Sequence, residues 1–224
     1  MFDISRFKDA HAGETILIVC NGANLNLTPP YLFNFPSIGL NTVHLYKDWT
    51  PTYYTAVDVR LAQEFGASIL ERFTKIPKFI PDRLAFWEEQ SKADNFYQFS
   101  MRSGFLWSPN DADGLWQNDI DNMTFSNIVH VAIKLALYMG AVKILIIGME
   151  HAPDQGKLHF WGEDENGVND VPLGEWFEGY RQLVEGAKSK GIEILNLSPE
   201  TYVPESIIPR ADWKDFVTVK NGIC

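Results

Sequence analysis

Thr15-Ile-Leu-Ile-Val-Cys20, running straight into Asn21-Gly22-Ala23-Asn24-Leu25, is the stretch on which the fold turns. The run is apolar without alternation and rich in β-branched residues, the pattern of a strand covered on both faces, as in a parallel sheet. The cluster behind it is turn-forming. Lys143-Ile-Leu-Ile-Ile147, followed by Gly148-Met149-Glu150-His151, repeats the arrangement. Both runs are predicted to be central parallel strands, because each is short, apolar throughout and followed by a Gly-containing turn.

Working outward, residues 38–44 and 53–57 read as further short strands, residues 78–81 as a fourth cut short by Pro81, and residues 192–195 as the last. Between them, residues 59–73 place Leu61, Phe65, Ile69 and Leu70 near one helical face. Asp121-Asn-Met-Thr124 offers N-cap candidates for a second helix, in which Ile128, Val131, Ala132, Leu135 and Met139 recur at helical spacing and Gly140 is the stop. Residues 175–190 form a third, with Trp176, Tyr180 and Leu183 on one side. Residues 82–119 show no readable period, and residues 152–173 are a long, polar, Gly-rich stretch of the kind that is either functional or mobile. The alternation of strand, loop and helix, with no repeat or linker, predicts one α/β domain over residues 1–224: an open, mainly parallel, Rossmann-like sheet with helices on both faces.

Bulk properties bound the function. A chain of 224 residues can bury a sizeable core, and no stretch is apolar over the ~20 residues a membrane span needs. The first residues are polar and lack an apolar signal region, and the two cysteines, Cys20 and Cys224, cannot build a disulfide framework. A cytoplasmic, reducing location is the expectation, with Cys20 a buried thiol. A formal net charge of −10 argues against a duplex nucleic-acid partner. It leaves open a small anionic ligand, which backbone N–H groups at helix starts can hold without lysine, and it leaves room for an oligomer.

Several junctions offer ligand chemistry. The turn after the first strand lies where such sheets bind ligands, outside the carboxyl ends of their strands. Gly22 permits an unusual backbone angle or a close approach, and Asn21 and Asn24 supply neutral donors and acceptors. The turn is not a full G-x-G-x-x-G, and an ordinary tight turn would recruit the same residues. Asn41 and Asp58 lie near two further predicted strand ends; Asp58 serves equally well as the N-cap of the helix behind it. Thr124, Ser126 and Asn127 start the second helix, where they can cap it or hold a phosphate. Glu150, His151 and Asp154, then His159, Glu163, Asp164 and Glu165, could furnish a general base or a metal site, although charged loop residues are ordinarily just solvated. His130 falls inside the second helix, where a core role is expected, and His44 ends a predicted strand with no role decided. No zinc, serine-hydrolase or Walker signature is present.

Taken together, Ile18-Val-Cys-Asn-Gly-Ala-Asn-Leu25, Gly39-Leu-Asn41, Tyr53-Tyr54 to Asp58, and Thr124 to Asn127 with Ala141-Val-Lys-Ile-Leu-Ile-Ile-Gly148 resemble a Rossmann-like superfamily. It comprises small bacterial sialyltransferases that use CMP-sialic acid, motility accessory factors and archaeal 6-hydroxymethylpterin diphosphokinases. The His159-Phe-Trp-Gly162 loop and Asn196-Leu-Ser-Pro199 look most like short phage-encoded relatives. The resemblance implies a nucleotide-binding, glycosyltransferase-like transferase that takes a sugar from a nucleotide-activated donor with no obligatory metal. Asn21, Gly22, Asn24, Asn41 and Asp58 would hold the nucleotide, with Thr124, Ser126 and Asn127 by its phosphate. Glu163 or His159 would be the acceptor-activating base. This chain departs from the family where it has Asn-Gly-Ala-Asn in place of Gly-Pro-Ser, and Gly148-Met149-Glu150 in place of Gly-x-Asp. Two alternatives stand beside this: a Mg²⁺-dependent pterin-type diphosphotransferase, with Asp58 and Glu150 on the metal, and a catalytically silent nucleotide-binding protein.

Overall fold

Ile16, Leu17, Ile18 and Val19 are each no more than 1% exposed, so strand β1 (Thr15–Val19) is covered on both faces as its composition predicts. Full burial of each such side chain is worth about 1.5–3 kcal/mol. The computed structural model of the chain describes residues 4–81, 95–99, 101–102, 123–124, 127–151, 158–164 and 172–217. After β1 come β2 (Ser37–Leu40), β3 (Tyr53–Thr55), α1 (Val59–Arg72), β4 (Lys78–Pro81), β5 (Phe96–Phe99), β6 (Met101–Arg102) and β7 (Met123–Thr124). Then follow α2 (Ile128–Tyr138), β8 (Lys143–Ile147), β9 (Leu158–His159), β10 (Gly162–Glu163), α3 (Leu173–Ser189) and β11 (Glu193–Asn196).

Seven strands form one open sheet in the order β11-β8-β1-β2-β3-β4-β5, and every pairing described in it is parallel. β1 lies between β2 and β8, with Ile18 opposite Ile38 and Ile146; β8 lies between β1 and β11. Both runs are therefore central. Residue parity along β1 splits the core in two. Ile16 and Ile18 pack with α2 and α3, while Leu17 and Val19 pack with Leu61, Ala62 and Ile69 of α1 on the opposite face. The chain builds outward from β1 through β5, then returns to β1's other side with β8. That reversal is the topological switch point at which such sheets open a crevice.

Several boundaries differ from expectation. The second strand stops at Leu40 instead of continuing to residue 44, because Asn41 adopts a left-handed φ of 46° and starts a 3-10 turn, Asn41–Leu45. Asparagine tolerates that conformation better than most residues. Within residues 82–119, the edge strand β5 carried no readable period. Thr124 belongs to the short strand β7, paired with β6, and the cap of α2 is Asn127, whose Oδ1 accepts the N–H groups of Val129 and His130. Gly140 has φ 86° just past the helix, the role its position predicted. No helix among the described residues is long and apolar enough to cross a membrane.

Candidate functional site

The switch point opens into a cavity of about 220 Å³ at the carboxyl ends of β1, β2 and β8. Asn21 and Gly22 come from the turn after β1, Asn41 from the turn after β2, Gly148 to His151 from the turn after β8, and Asn127 from the start of α2. Trp176 of α3 forms one wall, and His159 reaches in from β9. The volume is below the ~300–1,000 Å³ of typical ligand pockets.

The turns after β1 and β8 are locked together. Cys20 N–H donates to Ile147 O and Gly22 N–H to Gly148 O, both at 2.9 Å, so the parallel ladder continues past the strand ends. Glu150 then folds back under the first turn, where its Oε1 accepts the Asn24 N–H at 2.7 Å and the carboxylate also takes the Ala23 N–H. A Cβ on Gly22 would collide with that carboxylate. Gly22 is therefore required for a close approach, but the group approaching is the chain's own, and its φ of −66° is ordinary. Burial raises the Glu150 pKa, against the lowering effect of the two amide bonds. Burial, reinforced by the Glu150 charge, likewise pushes the buried, free Cys20 thiol well above its usual range.

A roof closes over the first turn. β9 and β10 form a small antiparallel hairpin, in which Gly162 faces His159 and Glu163 faces Leu158. His159 bridges to Gly22, Phe160 N–H donates to Asn21 O at 3.0 Å, and Asn26 Nδ2 donates to Phe160 O at 2.9 Å. The His159 ring stacks on Trp161 with centroids 5.1 Å apart, and Trp161 Nε1 donates to Thr42 Oγ1 at 3.0 Å. Asp164 lies 3.9 Å from His159 Nε2 and 3.1 Å from Arg60 Nη2, tying the hairpin to α1. Burial lowers the His159 pKa, opposed by the nearby Asp164 charge.

Six buried side-chain polar atoms have no hydrogen-bond partner among the described residues, and four of them belong to residues lining this cavity. They are two acceptors, Asn21 Oδ1 and Asn41 Oδ1, and two donors, Asn127 Nδ2 and Trp176 Nε1. The Asn127 amide has a fixed sense, because its Oδ1 accepts two backbone N–H groups and the Tyr180 hydroxyl, leaving Nδ2 as the spare donor. Each buried, unpaired polar group costs about 1–3 kcal/mol, and four of the six belong to residues around this one cavity.

Of the residues singled out by sequence, Asn21, Gly22, Asn41, Asn127, Glu150, His151 and His159 share this cavity. Asn24, Asp58 and Glu163 do not line it. The Asn24 side chain is buried away from it and donates to Glu200 O at 2.5 Å. Asp58 caps α1, accepting the Arg60 N–H at 2.8 Å, which is the structural half of its two readings. Glu163 is exposed on the hairpin. Ser126, Asp154 and Glu165 lie outside the described residues, and Thr124 is carried by β7. His130 is a core residue whose Nε2 pairs with Trp176 O at 3.1 Å, and His44 is buried against Ser68 Oγ at 3.0 Å. From sequence Trp176 is only a helix-face residue, because its periodicity is that of core packing and nothing local marks its N–H as spare. Among the described residues no group of three or more His, Cys, Asp or Glu is gathered as a metal site would require.

No family model matches the chain, and no curated protein matches it. Its fold is similar to solved structures of sialyltransferases. One is the sialyltransferase CstII from Campylobacter jejuni with a substrate analogue, cytidine-5'-monophosphate: 12% identity, TM-score 0.57, covering 95% of this chain and 89% of that one. Another is the sialyltransferase CST-II with a trisaccharide acceptor and CMP: 11% identity, TM-score 0.53, covering 88% of this chain and 86% of that one. At these identities the likeness is one of fold alone.

Proposed function

We propose that the chain is a nucleotide-binding, glycosyltransferase-like transferase that moves a sugar from a CMP-activated donor to a hydroxyl acceptor, with His159 as the base. The observation that carries this reading is that His159 lines the same cavity as the unpartnered amides of Asn21, Asn41 and Asn127. The two asparagine oxygens suit donors on the nucleoside. Asn127 Nδ2, Trp176 Nε1 and the positive end of α2 suit the phosphate.

In the reaction, the acceptor oxygen forms a bond to the anomeric carbon as its proton passes to the neutral His159 imidazole. The bond from that carbon to the phosphate oxygen breaks, and its electron pair leaves with the nucleotide. The new imidazolium is stabilised by Asp164, while the donors near α2 meet the charge that develops on the phosphate. Burial supports the base role by keeping the imidazole neutral, and so able to accept a proton, at neutral pH. Glu163, exposed and outside the cavity, is left with less support as the base. The diphosphotransferase alternative needs Asp58 and Glu150 on one cation, yet Asp58 caps α1 and Glu150 binds the first turn's amides.

Thermal unfolding with CMP, UDP and ATP, each with and without Mg²⁺, tests the reading. CMP at 100 times its Kd should stabilise the protein by about 2.7 kcal/mol without metal. Stabilisation by ATP alone, and only with Mg²⁺, would favour the diphosphotransferase. CMP binding without turnover of any CMP-sugar would favour the silent binder.

A further inference from the structure

His151 is a second histidine of the cavity, on the opposite side from the hairpin, and the reaction above does not use it. Its backbone is left-handed, with φ 52°, a strained conformation for a non-glycine residue that is maintained only where the surroundings over-determine it. Its ring stacks on Tyr180 with centroids 5.6 Å apart and an interplanar angle of 18°, and lies 5.0 Å from Trp176. His151 Nε2 is 2.7 Å from the Tyr180 hydroxyl, which itself donates to Asn127 Oδ1 at 3.0 Å.

That chain has only one direction. An amide oxygen can only accept, so the Tyr180 proton points to Asn127 and the Tyr180 oxygen must accept from His151. His151 Nε2 therefore carries the proton, and in the neutral ring Nδ1 is left as a bare acceptor. Burial holds the ring neutral, lowering its pKa to about 4. The groups packed around it do not restore a charge. His130, 4.3 Å from the Tyr180 ring, is itself kept neutral by burial, and the Glu150 carboxylate is turned to the first turn's amides. Nδ1 has no partner among the described residues.

We infer that His151 determines specificity in this cavity: its Nδ1 accepts a hydrogen bond from an uncharged N–H or O–H of the bound nucleotide, and Tyr180 is the positioning residue that fixes the accepting tautomer. This rests on the nucleotide reading above. The donor is either an amino group of the base or a hydroxyl of the ribose. A phosphate oxygen is excluded, since it would set lone pair against lone pair.

Long-range ¹H–¹⁵N correlation spectra of the ¹⁵N-labelled protein read the tautomer directly. The expected result is His151 with Nε2 protonated and Nδ1 bare, and an Nδ1 resonance that moves on adding CMP. Tyr180→Phe should leave the proton shared between the two nitrogens. Calorimetric titration of wild type and His151→Phe with CMP, UMP, 2'-deoxy-CMP and 3'-deoxy-CMP then separates the sources. His151→Phe should bind CMP about tenfold more weakly, the loss of one good hydrogen bond. The analogue that lacks the donor should bind both proteins alike: UMP if the donor is the base amine, a deoxy analogue if it is a hydroxyl. A protonated Nδ1 in the free protein, an imidazolium in the complex, or equal losses for all four nucleotides would overturn the inference while leaving the nucleotide reading intact. If none of the four binds the wild type, the nucleotide reading fails and the inference fails with it.

Discussion

The Glu150 carboxylate lies beneath the turn that ends β1 and accepts the Asn24 N–H at 2.7 Å, so the outflow of β8 holds the outflow of β1 in place. The same carboxylate occupies the space a side chain on Gly22 would need. Gly22→Ala should therefore destabilise the protein by about 1–3 kcal/mol, and Glu150→Ala by a similar amount through the orphaned amides. The two should be less than additive, because removing the carboxylate makes room for the new methyl group. Urea denaturation of the two single variants and the double variant measures this; strict additivity would show that the turn is set by something else.

His159→Ala should reduce transfer from a CMP-sugar by about 10²–10⁴-fold, the worth of a positioned base. Glu163→Gln should leave turnover near the wild-type value. Asp164→Asn, which removes the partner of the imidazolium, should fall between them, at about tenfold. Steady-state rates decide it, and a larger loss for Glu163→Gln than for His159→Ala would reverse the assignment.

Asn127 combines a helix cap and a spare donor on one amide, and substitution can separate them. Asn127→Asp keeps an oxygen for the Val129 and His130 N–H groups, so the helix cap should survive the change. It replaces the cavity's donor with a negative charge, so CMP should bind at least tenfold more weakly, as like charges facing each other are strongly disfavoured. Asp58→Ala should do the reverse: lose about 1 kcal/mol of capping and leave CMP affinity unchanged. Calorimetry and thermal melts of the two variants make the comparison.

Besides His159, burial lowers the pKa of three histidines, His44 to about 4, His130 to about 3 and His151 to about 4. The unfolded chain takes up these protons near pH 6.5, whereas the folded chain resists them until lower pH. The stability tied to the neutral rings is complete above pH 6.5 and lost as the pH falls toward 4, at about 1.4 kcal/mol per pH unit for each histidine. Glu150 works the other way in acid, because its raised pKa lets the folded form take up a proton first. Three groups outweigh one, so the urea midpoint should drop between pH 7 and 5. A midpoint that stays level over that range would contradict the burial of these rings.

Much of this fold was legible in the sequence because β1 and β8 are covered on both faces, and that burden is written into composition: Ile-Leu-Ile-Val and Ile-Leu-Ile-Ile with no polar interruption. The three helices showed themselves by period, and Gly140 by its place just past α2. Boundaries set by single-residue conformation were less visible. Asn41 ends β2 by turning left-handed, and an asparagine reads the same whether it ends a strand or continues one. β5 stayed hidden because it is an edge strand paired on one side only.

The site divides along the same line. The sequence determined which chemistry was available at each junction: amides at Asn21, Asn41 and Asn127, imidazoles at His151 and His159, carboxylates at Asp58, Glu150 and Glu163. Only the tertiary structure decided which of them meet. Strand order puts the ends of β1, β2 and β8 side by side, and the Phe160–Asn21 and Gly22–His159 backbone links carry a hairpin more than 130 residues away in sequence onto the first turn. Asp58 went to a helix cap, Asn24 to the Glu200 carbonyl and Glu163 to the exposed face of the hairpin, while Trp176 entered from a helix whose period announced only core packing. A side chain's chemistry is local and can be read from its letter. Its partner is fixed by contacts between segments far apart in sequence, and those exist only once the sheet has closed around β1.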